Sequence, residues 1–133
     1  MLSVELPYGI PRWLVYRGIE RVALMTGVIN GDTYTVRNIV PIRNEHPDPA
    51  SHFSVSHAEA MEMLGQEYAH VIGVLHTHKS DCPEVSDDDL TGIPEGWIGG
   101  VIVRRRVTAW YTSDGVIAPH VRFAVSDALL YTA

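Results

Sequence analysis

The chain has 133 residues, of which 46% are hydrophobic and 20% charged. This suits one soluble globular domain with its own core and excludes a disordered segment. A formal net charge of −6 argues against an unspecific binder of nucleic acid or anionic membrane. A single cysteine, Cys82, rules out an internal disulfide and makes a cytoplasmic setting the expectation. There is no apolar run of the ~18 residues a membrane span needs, and the start MLSVELPYGIP is not of the secretory type.

In chain order, Pro11 followed by RWLVY, with Gly18 beyond, predicts a short helix with proline in its first turn. Arg21–Ile29 is apolar and ends at Asn30-Gly31, a strong hairpin signal. Thr33–Val40, β-branched and alternating, is the return strand. NEHPDPASHF is a loop. Ser56 with Glu59 forms a capping box, and the helix formers behind it predict a helix over Ser56–Tyr68. His70–Leu75 is a continuous apolar run of strand length, as expected of a central strand covered on both faces. Ser86–Thr91 is expected as one or two helical turns, stopped by Gly92 and Pro94. Trp97–Val103, Val107–Thr112 and Val116–Val125 read as strands, with a turn at Ser113-Asp114-Gly115. With no repeat and no linker, residues 1–133 form one domain: an α/β mixed sheet with helices packed against it.

One stretch points to a chemistry. In GVLHTHKSDCPEVSDDD, the residues His76, His78, Ser86 and Asp89 are spaced H-x-H-x7-S-x2-D. Residues two apart on a strand face the same way, so both imidazoles aim at one point at the end of a buried strand. Two imidazoles and the Asp89 carboxylate make a three-ligand zinc set with the fourth position open, as hydrolytic sites have. The plainer readings are a surface histidine pair and, for Ser86 and Asp89, an ordinary capping box. Asp87 and Asp88 suit a helix N-terminus and need no further role.

This stretch resembles the JAMM motif of the MPN-domain zinc metallopeptidases, in which an upstream glutamate precedes H-[ST]-H-x7-S-x2-D. Glu20, in ERVALMTG with Gly27 seven residues on, matches the glutamate's placement, and the likeness runs through Asn44 and Phe53 to about Val103. It departs where relatives often carry proline after the second histidine and before the serine; here these are Lys79 and Val85. The context of the glutamate also departs, being E-R-V-A rather than E-x-C-G. None of these residues is a ligand. The resemblance implies an MPN, cytidine-deaminase-like fold of minimal prokaryotic or phage type. It implies one Zn2+ on His76, His78 and Asp89, with Glu20 as general base for the attacking water and Ser86 as oxyanion donor. The implied activity is a peptidase or isopeptidase acting on a protein or peptide, a ubiquitin-like or sulfur-carrier C-terminus among the candidates.

The alternative is a non-enzymatic MPN-type scaffold, which typically lacks the ligand set. A zinc nucleoside deaminase would need P-C-x-x-C, which is absent. A nucleic-acid role like that of RadC conflicts with the acidic balance. Cys82 reads as a bystander, or as a thiolate able to fill the open zinc position. Arg104-Arg105-Arg106 reads as charge guarding a strand edge, or as a dock for an acidic substrate surface. His46, His52, His57, His70 and His120 have no ligand spacing and read as surface or packing residues. Oligomeric state is left open.

Overall fold

The computed structural model describes residues 1–7 and 9–124. Eight strands form one mixed sheet: β1 (Ser3–Leu6), β2 (Val22–Asn30), β3 (Thr33–Ile42), β4 (Val71–Thr77), β5 (Ile98–Val103), β6 (Arg106–Thr112), β7 (Gly115–Ile117) and β8 (His120–Phe123). Their order across the sheet is β7-β6-β5-β4-β2-β3-β1-β8. Two helices, α1 (His57–Leu64) and α2 (Asp87–Gly92), lie in the connections to and from β4. Among the described residues, no helix is long and apolar enough to cross a membrane.

The β2–β3 hairpin turns at Asn30-Gly31 as its chemistry requires, with Gly31 at φ 60°. β4 is buried at every residue, as its unbroken apolar run predicts, and it pairs antiparallel with β2 and parallel with β5. α2 is the only helical element in the β4–β5 crossover, so it stands at the end of the strand that carries the two histidines.

Each face of the sheet has its own core. One is built on Val4, Leu6, Leu14, Met25, Leu75, Ile102 and Trp110. The other holds Val22, Leu24, Val74, Val101 and Tyr111 and takes in Ala60 of α1 and Leu90 of α2. Both helices therefore pack on the same face. The expected arrangement of helices flanking the sheet is corrected to this extent: an irregular segment, Ile10 to Leu14, covers part of the opposite face.

That segment was expected as a helix and is not one. Leu14 N–H donates to the Pro11 carbonyl at 3.1 Å and Val15 N–H to the Trp13 carbonyl at 2.9 Å, so the chain makes successive tight turns. Six residues between Pro11 and Gly18 are too few to offset helix nucleation, whereas turning lets Leu14 become fully buried. The helix expected over Ser56–Tyr68 keeps its Ser56 cap, which accepts from Glu59 N–H at 3.1 Å. Its α-helical part stops at Leu64 because Gly65 takes φ 57°, and a 3-10 stretch, Gly65–His70, continues to β4. The strand region expected from Val116 is two short strands, β7 and β8, and Val125 lies outside the described residues. β1 was not anticipated.

Candidate metal centre

Strand alternation and sheet register assemble the site. His76 and His78 point to one side at the C-terminal end of β4, and Thr77 points to the other. Thr77 Oγ1 accepts from Arg21 N–H at 2.8 Å, and Thr77 N–H donates to the Arg21 carbonyl at 3.0 Å. The antiparallel register, Val22 opposite His76, extended by two residues sets Glu20 opposite His78. The β-pairing next to it thereby brings a residue 58 positions away in sequence into the site.

Glu20 is also held from the loop side. Its N–H donates to the Pro49 carbonyl at 2.7 Å, and its carbonyl accepts from Asn44 Nδ2 at 2.8 Å. The same Asn44 nitrogen donates to the His52 carbonyl at 2.9 Å, while Oδ1 accepts from the N–H groups of His46 and Ser54. One side chain thus ties the 44–54 loop to the start of β2.

Asp89 arrives from α2. Ser86 and Asp89 form a reciprocal capping box: Asp89 N–H donates to Ser86 Oγ at 3.1 Å, and Ser86 N–H donates to Asp89 Oδ2 at 3.0 Å. The box fixes the carboxylate so that Oδ1 is 3.1 Å from His76 Nε2 and Oδ2 is 3.3 Å from His78 Nε2. The two Nε2 atoms are 2.9 Å apart. Donors held ~2.0–2.1 Å from a tetrahedral ion lie about 3.3 Å from one another, and each Asp89 oxygen lies at about that distance from one of the two imidazole nitrogens. Glu20, His76 and His78 make a second overlapping set, with donor atoms all within 4.8 Å, that could hold a metal ion. Glu20, expected as a base, is therefore also within ligand reach.

The imidazoles are oriented from behind. His78 Nδ1 donates to the Cys82 carbonyl at 2.8 Å, which orients the ring so that Nε2 faces the site. Cys82 takes part through this carbonyl; its thiol is exposed, with Sγ 3.5 Å from Asp81 Oδ1. His76, fully buried, has Phe53 against its ring at a centroid distance of 4.3 Å and Tyr111 Oη 3.4 Å from Nδ1. Tyr111 can lie there because Gly99, beside it on β5, has no side chain: a Cβ at that position would collide with the phenol ring. Neither aromatic has a spacing that marks it in the sequence. Phe53 is visible only by position before a helix, and Tyr111 only once β5 and β6 are paired.

Protonation follows the burial. Burial pushes the Glu20 carboxyl up to about 7, against the pull of His78. Burial also lowers His76, keeping it neutral, and the Asp89 hydrogen bond only partly opposes this. For His78 burial acts downward too, but the Asp89 and Cys82 hydrogen bonds outweigh it and raise the pKa. Asp89 loses solvent as well, yet the hydrogen bonds from both histidines hold it far below the carboxylate range. Burial pushes the Tyr111 phenol well above its usual value, so it stays protonated.

No family model matches the sequence, and no curated protein matches it. Among solved structures, protein DSY2949 from Desulfitobacterium hafniense matches over 94% of both chains, with 17% identity and a TM-score of 0.69. The chain shares that protein's fold. AF2198, a JAB1/MPN domain protein from Archaeoglobus fulgidus, matches over 77% of this chain and 80% of its own, with 15% identity and a TM-score of 0.44.

A cleft of about 430 Å3 adjoins the centre, with Asp89 in its wall. Phe53, Val55, Val74, Ile93 and Trp97 give it apolar surface. His46, His52 and His57, which had no role by spacing, line it. His52 Nδ1 is 3.1 Å from Asp88 Oδ2 and its ring stacks on His46. Glu20 borders a second hollow of about 220 Å3, together with Trp13, Ile19 and Pro41.

Proposed function

We propose that this protein is a zinc-dependent hydrolase of amide bonds, a peptidase or isopeptidase. The observation that carries the reading is the convergence of His76 Nε2, His78 Nε2 and the Asp89 carboxylate within 2.9–3.3 Å, beside the buried Glu20. His76, His78 and Asp89 would hold the ion, one per chain. Zinc bound there supplies Lewis acidity, to a water and to a carbonyl oxygen.

The remaining work falls to the chain's own groups. A buried carboxyl beside the two imidazoles can take a proton from the attacking water and return it to the leaving amine, which is the role assigned to Glu20. The Asp89 N–H occupies a lone pair on Ser86 Oγ and leaves the Ser86 O–H to donate. Ser86 is assigned to the oxygen that gains charge when the carbonyl is attacked. The cleft beside Asp89 and the hollow beside Glu20 offer room for substrate residues on two sides. The substrate class is a protein or peptide, with a ubiquitin-like or sulfur-carrier C-terminus as the first candidate to try.

The test is metal analysis combined with cleavage of a panel of peptide and isopeptide amides. The expected result is one zinc per chain and turnover that falls about 10²–10⁴-fold in Glu20→Gln with zinc retained. Failure to bind zinc at neutral pH would end the hydrolase reading. Bound zinc with no turnover on any amide would favour the scaffold alternative.

A further inference from the structure

The turn between β5 and β6 is built against its own backbone preference. Arg104 and Arg105 are its two central residues, with φ 52° and 68°. They are the only non-glycine residues with positive φ among those described. A two-residue hairpin of this kind requires φ > 0 at both positions, and Asn-Gly meets that demand with little strain. The same chain uses Asn30-Gly31 at its β2–β3 hairpin. At β5–β6 it places two arginines in the left-handed region, and a third, Arg106, follows at once. Retained strain of this sort accompanies function more often than chance placement does.

β5 lies between β4 and β6, but β7 pairs only with Trp110, Tyr111 and Thr112 of β6, so the Arg106 end of β6 is an open edge that charge helps to guard. An edge guard does not by itself call for Arg104 and Arg105 in the left-handed region of the turn. All three arginines are exposed, and the Arg–carboxylate pairs among the described residues use Arg43 and Arg122 instead.

The turn also stands at the centre described above. β4 and β5 run parallel with Thr77 beside Ile102, and His78 N–H donates to the Ile102 carbonyl at 2.9 Å. Lys79, also exposed, directly follows His78 in the chain. The base of the hairpin is tied to the ligand-bearing loop, since Thr108 Oγ1 donates to the Pro83 carbonyl at 2.6 Å. Four of the ten Lys and Arg residues of a chain with net charge −6 are thus gathered at one end of the sheet, next to His78.

We propose that Arg104, Arg105 and Arg106, with Lys79, form a docking point for an acidic protein segment beside the candidate metal centre. Guanidinium groups on a rigid turn suit bidentate pairing with Asp and Glu carboxylates. The acidic remainder of the surface would repel the long polyanion of a nucleic acid, so a short acidic segment is the better match. The proposal does not depend on hydrolysis, and binding alone tests it.

The probes are a fluorescent octaglutamate peptide, a Gly-Ser peptide of the same length and a short single-stranded DNA, followed by anisotropy on the metal-loaded protein. The wild type is expected to bind octaglutamate over the Gly-Ser peptide, less tightly as salt rises. The double variant Arg104→Asn, Arg105→Gly should bind it at least about tenfold more weakly. Its thermal midpoint should rise, because the turn regains its favoured residues. Unchanged octaglutamate affinity in the variant overturns the proposal, as does tighter binding of the DNA. A midpoint that fails to rise removes the strain on which the argument stands.

Discussion

Glu20 shows how a single side chain can be set against the stability of its own fold. It is 5% exposed and its carboxyl is pushed up to about 7 by loss of solvent. The folded protein therefore holds the proton more tightly than the unfolded chain, whose glutamate titrates near 4.5. Stability contributed by the protonated form is complete below the unfolded value and is lost as pH rises through about 7. The displacement, which already includes the attraction to His78, corresponds to at most about 3 kcal/mol. Glu20→Gln keeps the shape and removes the charge. In metal-free protein the variant should match the wild type at pH 3.5 and exceed it by about 1–3 kcal/mol at pH 8.5, read from urea midpoints at the two pH values. An equal difference at both would mean the carboxyl is not held out of water.

At the scale of elements, α2 has only six residues and owes its orientation to one reciprocal cap. Ser86→Ala deletes the acceptor of Asp89 N–H and should cost about 1 kcal/mol of stability. It should also weaken zinc binding about 10–100-fold, because the carboxylate loses its alignment toward His76 and His78. Isothermal titration of variant against wild type reads both the affinity and whether any loss is confined to it. This cap was legible in the sequence, as were the paired histidines on β4, because both are local patterns of fixed spacing. Features that depend on which strands become neighbours were not. β1 is four residues, SVEL, placed between β3 and β8 by two parallel pairings that leave no local signal. The contact of Tyr111 with His76 needs the β5–β6 register and the bare Gly99 together. The segment after Pro11 has the punctuation of a helix, but burying Leu14 decides its path. Glu20 was found from its offset to Gly27 by resemblance; its placement opposite His78 follows only from the β2–β4 register.

Across the whole molecule, the candidate ligands come from three separated parts of the chain: Glu20 just before β2, His76 and His78 at the end of β4, and Asp89 in α2. An ion bound to them would join segments that the unfolded chain keeps far apart, so it should bind the folded state selectively and stabilise it. At free zinc one hundred times its dissociation constant the gain is about 2.7 kcal/mol. For a chain of this length that is roughly a 10 °C rise in thermal midpoint. His78→Gln and Asp89→Asn should each lose most of the rise. Each variant is read against its own metal-free midpoint, so any packing loss cancels. Glu20 then decides between the two overlapping donor sets. If Glu20 serves as the base, Glu20→Gln keeps nearly the full zinc-induced rise. If it is a ligand in the set with His76 and His78, the rise collapses as it does for His78→Gln. A wild-type protein whose midpoint does not respond to zinc would show that the converging donors, despite their spacing, hold no ion of this kind.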